Sequence, residues 1–119
     1  MDREMILQHL AQAERHAALG ARTVARQKDL IVRLERDGLD VAEACAALAR
    51  FEGLQEMHLI DVNRLRQKAR KARSDEYRAK ADACDRQAKH ALDAIAKQQL
   101  GGVAQQWRAF ADLVDRREM

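Results

Sequence analysis

Proline is absent from this chain, aromatic residues make up 3% of it, and serine, threonine and asparagine occur once each, as Ser74, Thr23 and Asn63. A chain this poor in turn-forming and strand-forming side chains has nothing from which to build a β-sandwich, a barrel or an elaborate loop-borne active site. Two cysteines, Cys45 and Cys84, are too few and too far apart for a disulfide scaffold, and they match no metal or redox spacing. Each lies among alanines, which predicts small core residues in a reducing compartment. Long apolar runs are missing as well. The first residues, Met1 to Glu4, are charged, no basic segment leads into an apolar one, and nothing approaches the roughly 18 apolar residues of a membrane span. A cytoplasmic protein without a membrane partner is expected.

What is present is a surplus of Ala, Leu, Glu, Lys, Arg and Gln, the residues that lose least on entering a helix. At 119 residues and 13.5 kDa the chain is one ordinary domain or two small helical hairpins. From Ile6 the apolar positions step by four and three through Leu10, Ala13, Ala17, Gly20, Val24, Gln27, Ile31 and Leu34. This heptad seam predicts a helix from Asp2 to Asp37. Gly38 is placed to end it in the left-handed conformation. Asp40-Val-Ala-Glu43 then reads as a capping box, with the Asp40 carboxylate on the amide of Glu43 and Leu39 covering the first turn. A second seam follows through Val41, Ala44, Leu48, Phe51, Gln55, His58, Val62, Leu65, Ala69 and Ala72. Folding the chain about Gly38 sets Gln27 opposite Phe51, Val24 opposite Gln55, Gly20 opposite His58, Ala17 opposite Val62 and Ala13 opposite Leu65. It also sets Ile6 opposite Ala72.

The remainder repeats the plan on a smaller scale. One stripe is Tyr77, Ala81, Cys84, Ala88 and Ala91; the other is Ala96, Leu100, Val103, Trp107, Phe110 and Val114. A fold near Asp93 sets Ala81 opposite Trp107 and Tyr77 opposite Phe110. Asp93 is the preferred break, as a helix N-cap. The competing site is Gly101-Gly102, since two glycines cost roughly 2 kcal/mol in a helix interior relative to alanine. Around Ser74 the second helix either runs on as one very long rod or kinks, with Ser74 as the N-cap of a new helix; the kink is the preferred reading. The expected architecture is all-α: residues 1–73 form a long antiparallel coiled-coil hairpin turning near 38–40, and residues 74–119 a shorter hairpin turning near 93.

Several of these residues also carry a resemblance. Ala13-Glu14-Arg15-His16, Arg26-Gln27, Leu34-Glu35-Arg36-Asp37-Gly38, His58, Asp61, Arg64 and Leu65 resemble short uncharacterised helical proteins encoded in rhizobial alphaproteobacteria. Tyr77-Arg78-Ala79-Lys80-Ala81, Cys84, Arg86, Ala88, Gln106-Trp107-Arg108 and Ala111 resemble a second short motif of the same organisms, which commonly has Asp-Pro where this chain has Asp93-Ala94. The resemblance implies a source and a helical fold, and no reaction.

Chemistry finds little footing. The histidines, His9, His16, His58 and His90, form no H-x-x-x-H or E-x-x-H pair, and no metal site is expected. His58 reads as a seam residue facing the gap left by Gly20, and Gln27 and Gln55 as polar positions that fix register. The single serine has no histidine near it in sequence, and no glycine-rich phosphate loop exists. No catalytic residue and no cofactor are expected, and the chain is read as a non-enzyme.

Charge is the one uneven feature. The net charge is +3, yet Arg64 to Lys80 holds eight basic residues against two acidic ones. Arg64, Arg66, Lys68, Arg70, Lys71 and Arg73 form a candidate anion-binding or nucleic-acid-binding segment. It lacks interleaved aromatics and any recognisable DNA-binding motif around it. Off the seams, Leu7, Leu30, Leu54 and Leu59, with Leu19, Val32 and Ile60, ask for cover and mark a candidate oligomer face. The leading expectation is a helical interaction or scaffold protein that forms a homodimer. A nucleic-acid-associated protein using residues 64–73 is the alternative.

Overall fold

A computed structural model describes residues 2–117. They form three helices, α1 (Arg3–Arg36, 34 residues), α2 (Ala42–His90, 49 residues) and α3 (Ala94–Asp115, 22 residues), and no strand occurs among the described residues. The fold is all-α and built of helical hairpins, as the seams predict.

The first turn is set by Gly38, whose φ of 71° is open to a residue without Cβ. Its amide donates to Glu35 O at 3.1 Å, and the Leu39 amide donates to Leu34 O at 2.9 Å. These are the paired bonds of a Schellman ending, which satisfy carbonyls the helix leaves open. Two expected details differ. Asp40 Oδ1 accepts from the amide of Ala42 at 3.0 Å, one residue before the Glu43 amide foreseen for it. Leu39 stays 58% exposed and does not cover the turn.

α2 is continuous through Ser74, the long rod of the two alternatives and not the preferred kink. A serine starts a helix only when its oxygen takes an open amide. Here Ser74 Oγ donates instead to Lys71 O at 3.1 Å, which satisfies the hydroxyl inside the helix. The second turn falls at Asp93, with φ −96° and ψ 128°, and its carboxylate accepts from the Ile95 amide at 3.0 Å. α3 continues across Gly101 and Gly102.

The chain divides into two compact units, one spanning Glu4–Arg66 and one beginning at Gln67 and including Arg3. In the first, Ala13, Val62 and Leu65 are buried together, with Leu10 and Ala17 packed against them. This is the grouping the two seams foretold. In the second, Ala81, Ala104 and Ala111 are fully buried and Val114 nearly so. The α3 stripe therefore runs through Leu100, Ala104, Trp107, Ala111 and Val114, and Val103 and Phe110, assigned to it from sequence, are each 41% exposed. Alanine at the contact lets two helices approach closely, and the bulkier side chains then sit on the flanks. The cysteines are corrected too: Cys45 is exposed and Cys84 only half-buried.

Candidate functional site

Within Glu4–Arg66 two helices supply one seam and no further layer. Leu7 (44%), Leu30 (36%), Leu54 (52%) and Leu59 (53%) remain exposed, as do Leu19, Val32, Met57 and Ile60. Heptad geometry assigns them to sides. Leu7 and Leu59 follow seam residues Ile6 and His58 and lie on one flank of the hairpin; Leu30 and Leu54 precede seam residues Ile31 and Gln55 and lie on the other. A groove of about 670 Å³ opens on the first flank between Ala21 and Val24 of α1 and Gly53 and Leu59 of α2. A second, of about 660 Å³, lies between Leu30 and Leu34 of α1 and Ala46 and Ala47 of α2.

The seam carries a polar layer. His58 faces Gly20 as expected: a Cβ on Gly20 would stand 3.2 Å from His58 Nδ1, and it would collide with Gln55 Oε1. The glutamines leave their expected layers. Gln55 Nε2 donates to Ala17 O at 2.7 Å and Gln27 Nε2 donates to Ala44 O at 2.9 Å. A long amide side chain in an apolar seam reaches for a backbone carbonyl, whichever layer that lies in. Gln55 Oε1 stands 3.3 Å from His58 Nδ1, and the rings of His16 and His58 lie 6.0 Å apart. No buried side-chain nitrogen or oxygen among the described residues lacks a partner.

The basic segment is largely spoken for. Arg64 binds Asp61 at 2.6 Å, Arg66 stands 3.8 Å from Glu14, and Lys71 is 3.4 Å from Asp75. The Arg73 Nε–H donates to the Tyr77 hydroxyl at 3.0 Å, with its guanidinium 5.6 Å from that ring's centre. Lys68 is exposed and Arg70 half-buried, and neither is in an ion pair with any described residue.

The charge constellation with the most ion pairs between helices lies elsewhere and is not among the sequence candidates. Arg78 of α2 reaches Asp112 at 3.1 Å and Asp115 at 2.6 Å on α3. Arg108 of α3 reaches Asp82, at 3.4 Å, and Asp85 on α2. The Asp115 hydrogen bond holds the Arg78 guanidinium above its ordinary pKa, and Asp85 does the same for Arg108. In return, Arg78 holds the Asp115 carboxyl below the usual carboxylate range.

These clasps are one motif used twice. Tyr77-Arg-Ala-Lys-Ala-Asp-Ala-Cys-Asp-Arg86 and Trp107-Arg-Ala-Phe-Ala-Asp-Leu-Val-Asp-Arg116 share six of ten residues, thirty positions apart. The structure makes them equivalent: exchanging α2 and α3 exchanges the two arginine clasps. It also exchanges the Tyr77–Phe110 contact, at 6.1 Å between ring centres, with Lys80 over Trp107 at 4.6 Å. Tyr77 and Trp107, themselves equivalent, stack on each other at 5.5 Å. Ala81 and Ala111, equivalent again, are both fully buried. The signal is an internal repeat at a period of thirty, carried mainly by the charged positions and not by the apolar stripes.

No group of three or more His, Cys, Asp or Glu residues among the described residues is arranged to hold a metal ion. No helix among them is long and apolar enough to cross a membrane. No protein-family model matches the chain, and neither a curated protein nor a solved structure is significantly similar to it.

Proposed function

We propose that the protein is a non-enzymatic, cytoplasmic helical interaction protein that forms a homodimer through a flank of the Glu4–Arg66 hairpin. The observation that carries this reading is the exposure of Leu7, Leu30, Leu54 and Leu59, of which Leu59 lines one groove and Leu30 the other, on a unit whose own seam buries few large side chains. A two-helix layer gains most by covering such a flank with a second pair of helices. A second copy suits the charge as well. Glu4–Arg66 holds nine basic and ten acidic side chains, so two copies of the hairpin do not repel as wholes.

The alternative, nucleic-acid association through residues 64–73, has less support. Arg64, Arg66, Lys71 and Arg73 each have a partner within the protein. Of the six, that leaves Lys68 and Arg70, which are in no ion pair with a described residue.

Sedimentation of the full chain, with and without a mixed nucleic-acid fragment, at low and high salt, separates the two. A concentration-dependent dimer that ignores both salt and nucleic acid supports the proposal. Comigration that disappears at high salt, with a monomer in its absence, transfers the function to the basic segment.

A further inference from the structure

The decapeptide that recurs in α2 and α3 makes their pairing surfaces one surface. Residues 77–86 are complementary to residues 107–116 because each set offers an arginine to the other's Asp-x-x-Asp pair. A second copy of the chain presents the same α3. We infer that α3 is exchangeable between copies: residues 77–86 form a second self-association surface, whose occupant is α3 of another chain. This goes beyond the hairpin dimer, since it uses only residues after Arg66.

Three features favour exchange. The contacts of the closed and exchanged pairs are identical, so the pairing surface does not choose between them and chain concentration does. Leu92, at the centre of the short connection Ala91–Asp93, is fully exposed, so opening the connection loses no packing there, and exchange requires a chain concentration that competes with the tether. The buried residues at the contact, Ala81, Ala104, Ala111 and Val114, are the same in the closed and the exchanged pair, so exchange gives up no packing.

Charge reversal tests the inference in the full chain. The background carries Leu54→Asp and Leu59→Asp, one on each flank, to silence the hairpin dimer. One variant carries Arg108→Glu, Asp112→Arg and Asp115→Arg; the other carries Arg78→Glu, Asp82→Arg and Asp85→Arg. In either alone, every clasp meets like charge. In an exchanged heterodimer, the native α2 of one pairs with the native α3 of the other, and the two reversed helices pair with each other.

Co-refolding the two should give a species of twice the 13.5 kDa chain mass, with native Trp107 emission that neither variant shows alone. A mixture whose sedimentation and emission are the average of its components overturns the inference. A chain carrying all six reversals checks that reversal itself permits folding, because its clasps are restored internally. The background chain without reversals should also give a dimer fraction that rises with the concentration at which it is refolded. Its absence at every concentration overturns the inference too.

Discussion

At the scale of single residues, the polar layer around Gly20 shows how an absent side chain is used. Gln55 fills the space a Cβ would occupy and from there reaches the Ala17 carbonyl. Alanine at position 20 brings better helix propensity, worth about 1 kcal/mol, but displaces an amide whose hydrogen bond contributes about 1 kcal/mol. Gly20→Ala should therefore leave stability nearly unchanged in the native chain and raise it by up to about 1 kcal/mol when Gln55 is already alanine and His58 gives way to the new methyl. Denaturant titration of the four members of the cycle measures this, and equal effects in both backgrounds would separate the two residues. Asp115 carries a pH consequence. Its folded carboxyl has the lower pKa, so the unfolded chain takes up the proton first as pH falls. The contribution of its bond to Arg78 is thus complete above the ordinary carboxylate value of about 3.9 and is lost as pH falls through the folded value. Melting temperature should drop across that acidic window in the native chain and drop less in Asp115→Asn.

At the scale of elements, α3 is a helix with one good start and two weak points. Removing the Asp93 cap leaves the Ile95 amide without its acceptor, and Asp93→Ala should cost about 1 kcal/mol. Nothing lies within 4 Å of where a Cβ would stand at Gly101 or Gly102, and both are helical. Each substitution by alanine should stabilise the chain by up to about 1 kcal/mol, read as a rise in melting midpoint. A loss instead would place a neighbour against these glycines. Helices and turns were legible because they are local: Gly38, Asp40 and Asp93 act through their own backbone bonds. The continuity of α2 was not, because Ser74 looks the same in sequence whether its hydroxyl caps a new helix or bonds back to Lys71. The α3 stripe was misread by one position at Val103 and Phe110 because hydrophobicity ranked them above Ala104 and Ala111, and close packing favoured the small residues.

At the scale of the whole molecule, the sequence marked which apolar residues stay exposed and missed which charges meet. Exposed leucines were legible as residues without a seam partner. The fate of the basic segment was not, since Glu14 and Arg66 lie far apart in the chain and meet only in the fold. Symmetry narrows the self-association reading further. A closed dimer uses one patch twice, whereas use of both flanks would join copies into an open chain. For the proposed dimer, the flank bearing Leu59 is the better candidate. Ala21 and Gly53 line its groove, and a Cβ at Gly53 would meet nothing within 4 Å, so a partner helix finds room to approach. Leu59→Asp should then produce a monomer, and Leu30→Asp should leave the dimer in place. Burying one leucine is worth roughly 1.5–3 kcal/mol, and two-fold symmetry counts it twice, so the dissociation constant should rise by a factor of at least about 100. Sedimentation equilibrium reads this directly. If Leu30→Asp gives the monomer and Leu59→Asp does not, the dimer lies on the opposite flank; if both fragment a larger assembly, the contact is open rather than closed.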